Sequence, residues 1–418
     1  MKHVIIGAGP AGITAAEQLR KLDPAASITV LDGEGEAAPY ARMAIPYLLS
    51  QRIGEEGTHL RLDPDHYRAL RIDIEKTRAA AVDPAAGTVR LADGRVLPYD
   101  RLLIATGSVP SREKVPGIDL PGVHTCWTLA DARAIIASLR PGTRVVQMGA
   151  GFVGCIIIQG LMSRGADLTV LIRSGRMVSR MMPPKASEMI GRWCAEHGVH
   201  VMGKTQTAKI EPDGNALKVT LTTGETLPAD LYLSVVGVKP GIDFLAGSGI
   251  AIESGIVVDA HMRTNLPNIF AAGDVAQARD CITGKTEINA IQPNAVEQAR
   301  IAAINMTGGD TDFVGSLAIN VLDTLGLISS SFGQWQGEED AKGGMGVELL
   351  DEANYRYLSL QFKDDVLIGA TSIGWTDHIG VLRGLIQTRT PLGIWKERLL
   401  ADPTQFMVAY LAGVQKAA

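Results

Sequence analysis

The sequence predicts an α/β protein with two doubly wound parallel sheets in succession and a smaller α+β domain after them. Three observations predict this. A short apolar strand, a glycine-rich turn and a helix occur near the start and again in mid-chain. Each copy returns to an apolar strand and is followed by an antiparallel hairpin. After about residue 318 the texture changes to antiparallel pairs and short helices.

The first copy reads Val4-Ile5-Ile6-Gly7-Ala8-Gly9-Pro10-Ala11-Gly12 and returns to a strand over Ser27 to Leu31. The second reads Val145-Val146-Gln147-Met148-Gly149-Ala150-Gly151-Phe152-Val153-Gly154 and returns over Asp167 to Ile172. Each is the βαβ unit of a parallel sheet. Thr88 to Leu91 and Arg95 to Leu97 flank Ala92-Asp93-Gly94 as a hairpin, and a strand follows from Tyr99 to Thr106. Leu217 to Leu227 repeats that hairpin around Thr223-Gly224, before a strand from Leu231 to Val236. Ile256 to Asp274 is strand and turn, and a helix is expected from about Asn294 to Met306. Near the end, Tyr355 to Gln361 and Val366 to Ile373 form an antiparallel pair around Lys363-Asp364-Asp365. Helices are expected near Thr376 to Gln387 and Gly393 to Leu400.

Composition narrows the partners. The 418 residues are 46% hydrophobic, and their length suits two or three domains. The net charge is only −5 and there is no long basic run, which argues against nucleic acid. Cys126, Cys155, Cys194 and Cys281 are scattered, with no C-x-x-C spacing, so neither a redox pair nor a zinc site of that type is expected. No apolar run reaches the ~18 residues of a membrane helix. The chain enters a strand at His3, leaving no room for a signal peptide, so a cytoplasmic location is expected.

The loop Gly7-x-Gly9-x-x-Gly12 lies between a strand and a helix, and Asp32 ends the next strand twenty residues after Gly12. Glycines let the backbone approach a pyrophosphate resting on the helix N-terminus, and an acid there can accept from ribose hydroxyls. Glu34 is the second candidate for that role. The two halves therefore read as Rossmann-like three-layer dinucleotide-binding domains.

Three further stretches resemble those of the two-dinucleotide-fold FAD reductases, within the pyridine nucleotide-disulfide oxidoreductase family. Its branches include ferredoxin and rubredoxin reductases, NADH oxidases, coenzyme A disulfide reductases and the flavin part of nitrite reductase. The stretches are Tyr99 to Gly107 (ending Ala105-Thr106-Gly107), Thr264 to Asp274 (ending Gly273-Asp274) and Gln292 to Arg300 (opening Gln292-Pro293-Asn294-Ala295). With the two glycine loops, the resemblance covers about residues 1 to 310. It implies that FAD is held by Gly7, Gly9, Pro10, Ala11, Gly12, Asp32, Glu34, Arg42, Ala105, Thr106, Gly107, Gly273, Asp274, Pro293, Asn294 and Ala295. Asp274 would meet the ribityl chain; its other reading is a helix N-cap, a common use of Asp. Arg42 would pair with the pyrophosphate.

Pro39 to Tyr47 resembles the family's flavin-facing loop. Where NADH oxidases and coenzyme A disulfide reductases carry a cysteine, this chain has Met43. Where ferredoxin reductases carry a lysine, it has Tyr47, which is equally well read as a packed core residue. Methionine supplies no thiolate, so a redox-active disulfide is not expected. Gly149, Gly151, Phe152 and Val153 would hold NADH or NADPH. Here the chain departs from the family: Ile156 replaces a frequent glutamate, and Ile172 replaces the acid of NADH-specific members. Arg173, Arg176 and Arg180 follow, and arginines without a carboxylate suit a 2′-phosphate, so NADPH is expected to be preferred. A weak or relaxed site with solvated arginines is the other reading.

The resemblance implies an FAD-dependent NAD(P)H oxidoreductase that passes electrons to a separate acceptor, such as a ferredoxin- or rubredoxin-type carrier. The catalytic residues are not identifiable, and no metal site is. The alternatives are an FAD-binding subunit of a larger complex with a decayed nicotinamide site, or a flavin oxidase of a small metabolite. The expected domains are FAD-binding over 1–112 and 245–318, NAD(P)H-binding over 113–244, and a C-terminal α+β interface domain over 319–418. A homodimer would fit the relatives. Arg383, Arg389, Lys396 and Arg398 around Trp395 fit either an acidic carrier or, more simply, a solvated helix face.

Overall fold

Lys2–Ile6 is the middle strand of a five-stranded sheet in the computed structural model, which describes residues 1–417. Ser27–Leu31 and Ile72–Glu75 lie on one side of it, Arg101–Ile104 and Ile269–Ala271 on the other, all parallel. Ile5 and Leu103 are fully buried, and such burial contributes on the order of 2 kcal/mol per side chain. The strand leads through the glycine turn into helix Pro10–Leu22. Pro10 opens this helix where no N–H is needed, and Arg20 and Lys21 in its last turn suit the helix dipole. Arg20 is also buried and donates to the carbonyls of Leu70, Pro24, Ala26 and Arg71, which fixes the helix end.

Arg144–Met148 is the middle strand of a second sheet of the same form. Asp167–Ile172 and His200–Gly203 flank it on one side, Leu231–Ser234 and Val123–His124 on the other, again all parallel. Each sheet carries a three-stranded antiparallel sheet after its third strand: Ala79–Asp83, Thr88–Leu91 and Val96–Pro98 in the first copy, Thr207–Asp213, Ala216–Leu221 and Thr226–Ala229 in the second. The hairpins expected from the sequence are thus each two strands of a three-stranded sheet. Helix Leu129–Ser138 enters the second copy through a capping box between Thr128 and Asp131.

The described chain divides into two compact units. One holds Met1–Leu48, Ile53–Val109 and Val238–Ser316; the other holds Leu49–Arg52, Pro110–Gly237 and Leu317–Ala418. The second unit therefore includes both the second parallel sheet and the C-terminal antiparallel sheet. That sheet runs Ile319–Thr324, Leu327–Gly333, Val366–Ile373, Arg356–Lys363, Gly344–Asp351. Helix Pro184–Glu196 joins the two sheets: Arg192 stacks 4.9 Å over Tyr355 and pairs with Glu352, and Trp193 Nε1 donates to the Leu325 carbonyl. Helices Gly380–Thr388, Ile394–Ala401 and Phe406–Ala417 complete the unit. Arg398 lies over Trp395 at 4.5 Å, so part of the basic cluster is a local stack.

Candidate functional site

Gly7 has φ +112° and Gly149 φ +109°, a backbone region that favours glycine. A Cβ on Gly7 would lie 2.2 Å from the Ala105 carbonyl oxygen, and one on Gly149 would lie 2.3 Å from that of Val235. At the third glycine the helix closes on the loop. A Cβ on Gly12 would be 1.9 Å from the Gly7 oxygen, and one on Gly154 would be 2.4 Å from the Gly149 oxygen. The middle glycines differ: a Cβ on Gly9 or Gly151 would meet nothing within 4 Å. Those two faces are open, beside the unbonded N–H groups that begin helices Pro10–Leu22 and Phe152–Ser163. Phe152 and Val153 form the first turn of the second helix. Both loops have the shape and dipole that an anionic pyrophosphate requires.

Around the first loop the structure brings distant segments together. A Cβ on Gly273 would lie 3.3 Å from the Ala11 Cβ and 3.5 Å from the Ala295 Cβ. Pro293, Asn294 and Ala295 form the first turn of helix Gln292–Met306, and Gln298 one turn on accepts from the Gly273 N–H at 2.8 Å. Ala105, Thr106 and Gly107 follow strand Arg101–Ile104, and the Thr106 hydroxyl is buried with no partner among the described residues. A ligand with a polar group at this wall would satisfy it. Asp274 accepts from Ser108 Oγ at 2.9 Å. Burial raises its carboxyl above the ordinary range, opposed by that bond and by the Arg42 charge.

Asp32 follows strand Ser27–Leu31 and is 8% exposed. Burial raises its pKa, while the backbone N–H groups of Glu34 and Gly35 act the other way. Glu34 accepts from Tyr40 Oη and pairs with Arg42. Arg42 is thus held between Glu34 on the Asp32 side and the field of Asp274 on the other. Met43 and Tyr47 are both exposed. Asp32 and Glu34 after one strand and Asp274 after another thus supply three carboxylates, with Arg42 paired to Glu34 and within the field of Asp274; carboxylates accept from hydroxyls and a guanidinium pairs with phosphate.

Around the second loop the charge is different. Ile172 ends its strand buried, and Ile156 is half-buried on the helix. Arg173, Arg176 and Arg180 lie on the following segment, where Val178 N–H donates to the Ala150 carbonyl at 2.7 Å and so ties that segment to the glycine loop. Lys204, after the neighbouring strand, packs over this segment: a Cβ on Gly175 would be 3.0 Å from its Cγ. No ion pair engages any of these four cations among the described residues.

Sequence reasoning passed over four residues. Ser108 directly follows Ala105-Thr106-Gly107, and Gln298 lies one turn beyond Ala295. Gln147 is the polar residue in an otherwise apolar strand core. Lys204 comes from a different strand, and no local spacing links it to Arg173.

Residues 1–302 match the family described as pyridine nucleotide-disulphide oxidoreductase. The chain belongs to that family. It is an oxidoreductase that uses FAD and a nicotinamide nucleotide. It is 34% identical over 406 residues to the NADH-dependent phenylglyoxylate dehydrogenase subunit epsilon of Aromatoleum evansii, covering 96% of this chain and 95% of the relative. It is 34% identical over 321 residues to rhodocoxin reductase of Rhodococcus erythropolis, covering 75% and 74%. The solved ferredoxin reductase for the CYP199A2 system from Rhodopseudomonas palustris has a TM-score of 0.81 at 26% identity, with 89% of this chain and 91% of that one covered.

Members of the pyridine nucleotide-disulphide oxidoreductase family that act on disulfides need an accessible thiolate. Here Cys126, Cys155 and Cys194 are all buried. Burial raises Cys126 and Cys194 to about 12 and drives Cys155 upward as well. These three remain thiols at neutral pH. Among the described residues no helix is long and apolar enough to cross a membrane.

Proposed function

We propose that the chain prefers NADPH to NADH and passes the electrons it receives to a separate iron–sulfur carrier protein. One observation carries this reading. Both nucleotide loops are intact, yet Cys126, Cys155 and Cys194 are buried and held as thiols, so none of these three offers a thiolate for disulfide exchange. FAD, when bound, supplies a group that takes two electrons as hydride and can release them singly. The residues proposed to hold it are Gly7 to Gly12, Asp32, Glu34, Arg42, Ala105 to Gly107, Gly273, Asp274 and Pro293 to Ala295. Gly149, Gly151, Phe152 and Val153 are proposed to hold the nucleotide. Arg173, Arg176 and Arg180, joined by Lys204, would select its 2′-phosphate by charge-assisted hydrogen bonds. The names of two relatives, rhodocoxin reductase and a ferredoxin reductase, support a small electron carrier as the acceptor.

A second reading has one observation in its favour. The relative matched from end to end is named as a subunit, so the carrier could be a fellow subunit of a larger complex, served by the same two crevices. For the chain itself we infer a homodimer built on the C-terminal sheet, whose edge strand Gly344–Asp351 exposes Met345 and Leu349.

Anaerobic stopped-flow mixing tests the main reading. FAD-loaded protein is mixed with NADPH or NADH, and then with a [2Fe–2S] ferredoxin. NADPH is expected to bleach the flavin band faster, and ferredoxin to restore it. No bleaching by either nucleotide overturns the reading. Purification from the native cell decides between a free chain and a complex, and light scattering on the free chain tests the dimer.

A further inference from the structure

The middle strands of the two parallel sheets can be laid over one another residue by residue from their glycine turns. In that alignment Ile5 of the first strand matches Gln147 of the second. Gln147 is fully buried. Its Nε2 donates to the Gly149 carbonyl at 2.9 Å and to the Gly154 carbonyl at 3.0 Å. Its Oε1 has no hydrogen-bond partner among the described residues. Turning the amide over would set its oxygen against those two carbonyls, so the surroundings dictate which end faces the loop. A buried amide with half its capacity unmet is a poor choice for stability alone, and the first sheet does without one. What it touches is the pair of carbonyls that bracket the loop from Gly149 to Gly154.

A second contact acts on the same loop. The Ala150 carbonyl accepts from Val178 N–H at 2.7 Å and from Cys155 Sγ at 3.4 Å. Val178 has φ +43°, which is costly for a β-branched residue and persists where the surroundings over-determine it. It stands between Arg176 and Arg180.

We propose that Gln147 is a positioning residue for the nicotinamide nucleotide. By holding the Gly149 carbonyl inward, its amide presets the Gly149–Ala150 peptide plane so that the Ala150 N–H faces away from it, toward a pyrophosphate, and its second bond, to the Gly154 carbonyl, pins the first turn of the helix beneath the loop. The Val178 N–H on Ala150 couples that preset loop to the arginine segment, so both ends of the nucleotide meet one rigid receptor. Preorganisation of this kind raises affinity without touching the reacting atoms. The inference rests on the reading that this crevice takes the nicotinamide nucleotide.

The test compares wild-type holoenzyme with Gln147→Ile, which installs the first sheet's residue, and Gln147→Met, which keeps the volume without a donor. KM for the preferred nucleotide and the Kd for NADP+ by equilibrium titration are expected to rise about tenfold, equivalent to about 1.4 kcal/mol. kcat at saturation, FAD content and the melting temperature should hold or, for the last, increase. Unchanged KM and Kd in a variant that retains FAD overturns the proposal. So does a loss of kcat in step with FAD content and melting temperature, the signature of a purely structural role. If Gln147→Ile fails to fold, Gln147→Met decides. A wild-type protein that neither nucleotide reduces sinks the functional reading, and this inference with it.

Discussion

Asp32 directly follows the strand beside the first glycine loop and Ile172 ends the strand beside the second, although the two loops follow the same course from Gly7 to Gly12 and from Gly149 to Gly154. The glycines set how closely a backbone can approach a phosphate pair, and they do so identically in both copies. The residues at the strand tips set what must accompany the phosphates. Asp32, Glu34 and Asp274 accompany Arg42 in the first copy; Arg173, Arg176, Arg180 and Lys204, with no ion pair among the described residues, lie on or against the segment tied to the second loop. One polar residue is also buried in each middle strand, but at opposite ends. His3 lies at the start of the first strand, away from the loop, and Gln147 lies directly beneath the second. A duplicated framework has thus been specialised by a few side chains that leave its hydrogen-bonded sheet unchanged.

The largest expected effect breaks the symmetry of the loops themselves. Gly154→Val places atoms against the Gly149 carbonyl and should cut nucleotide-driven flavin reduction at least a hundredfold, about 2.8 kcal/mol. The protein should stay yellow. Gly12→Val should instead lose FAD, read by absorbance after gel filtration. If Gly154→Val also empties the flavin, the two crevices are not independent.

Exchanging the strand-tip charge sharpens the comparison further. Ile172→Asp combined with Arg173→Ala and Arg176→Ala should lower the ratio of kcat/KM for NADPH over NADH about a hundredfold, roughly tenfold for each arginine. A wild-type preference for NADH would reverse the assignment of the basic segment.

His3 tests the other buried polar residue. Burial lowers its pKa from the usual 6.5, opposed mainly by Asp23, whose carboxylate lies 3.9 Å from Nε2, and neither ring nitrogen has a hydrogen bond among the described residues. The unfolded chain therefore binds a proton below about pH 6.5 that the folded chain resists. Stability should be unaffected above that pH. It should fall as pH drops from 6.5 toward the lowered value, by at most about 1.4 kcal/mol per pH unit. Thermal melting of His3→Val, which carries the residue found at Val145, should show a flatter acid limb. An unchanged limb would assign the acid sensitivity elsewhere.

The smallest effect is expected from the thiols. Cys126→Ser, Cys155→Ser and Cys194→Ser should leave ferredoxin reduction within about twofold of wild type, since burial keeps each protonated. A large loss in any of them, with FAD retained, would return thiol chemistry to the mechanism.

Much of this is legible in the sequence. The glycine spacing, Asp32, and the bare isoleucine followed by arginines are local features, because a turn and the strand beside it are encoded within about twenty residues. The hairpins were legible from their Gly turns, though not their third strands, which pair only after the chain has closed on itself. The ion pair of Arg42 with Glu34, the Ser108 bond to Asp274 and the placement of Lys204 over Gly175 depend on segments that meet only in three dimensions.

Sequence alone determined the two parallel sheets, their glycine loops and the charge at each strand tip, since periodicity and steric freedom are properties of neighbouring residues. Tertiary structure alone decided which thiols lost their chemistry, which carboxylates were held away from their ordinary range and which amide braced the second loop. Desolvation and hydrogen bonding across 100 residues or more, as between Ser108 and Asp274, are set by packing, and packing exists only once the chain has folded.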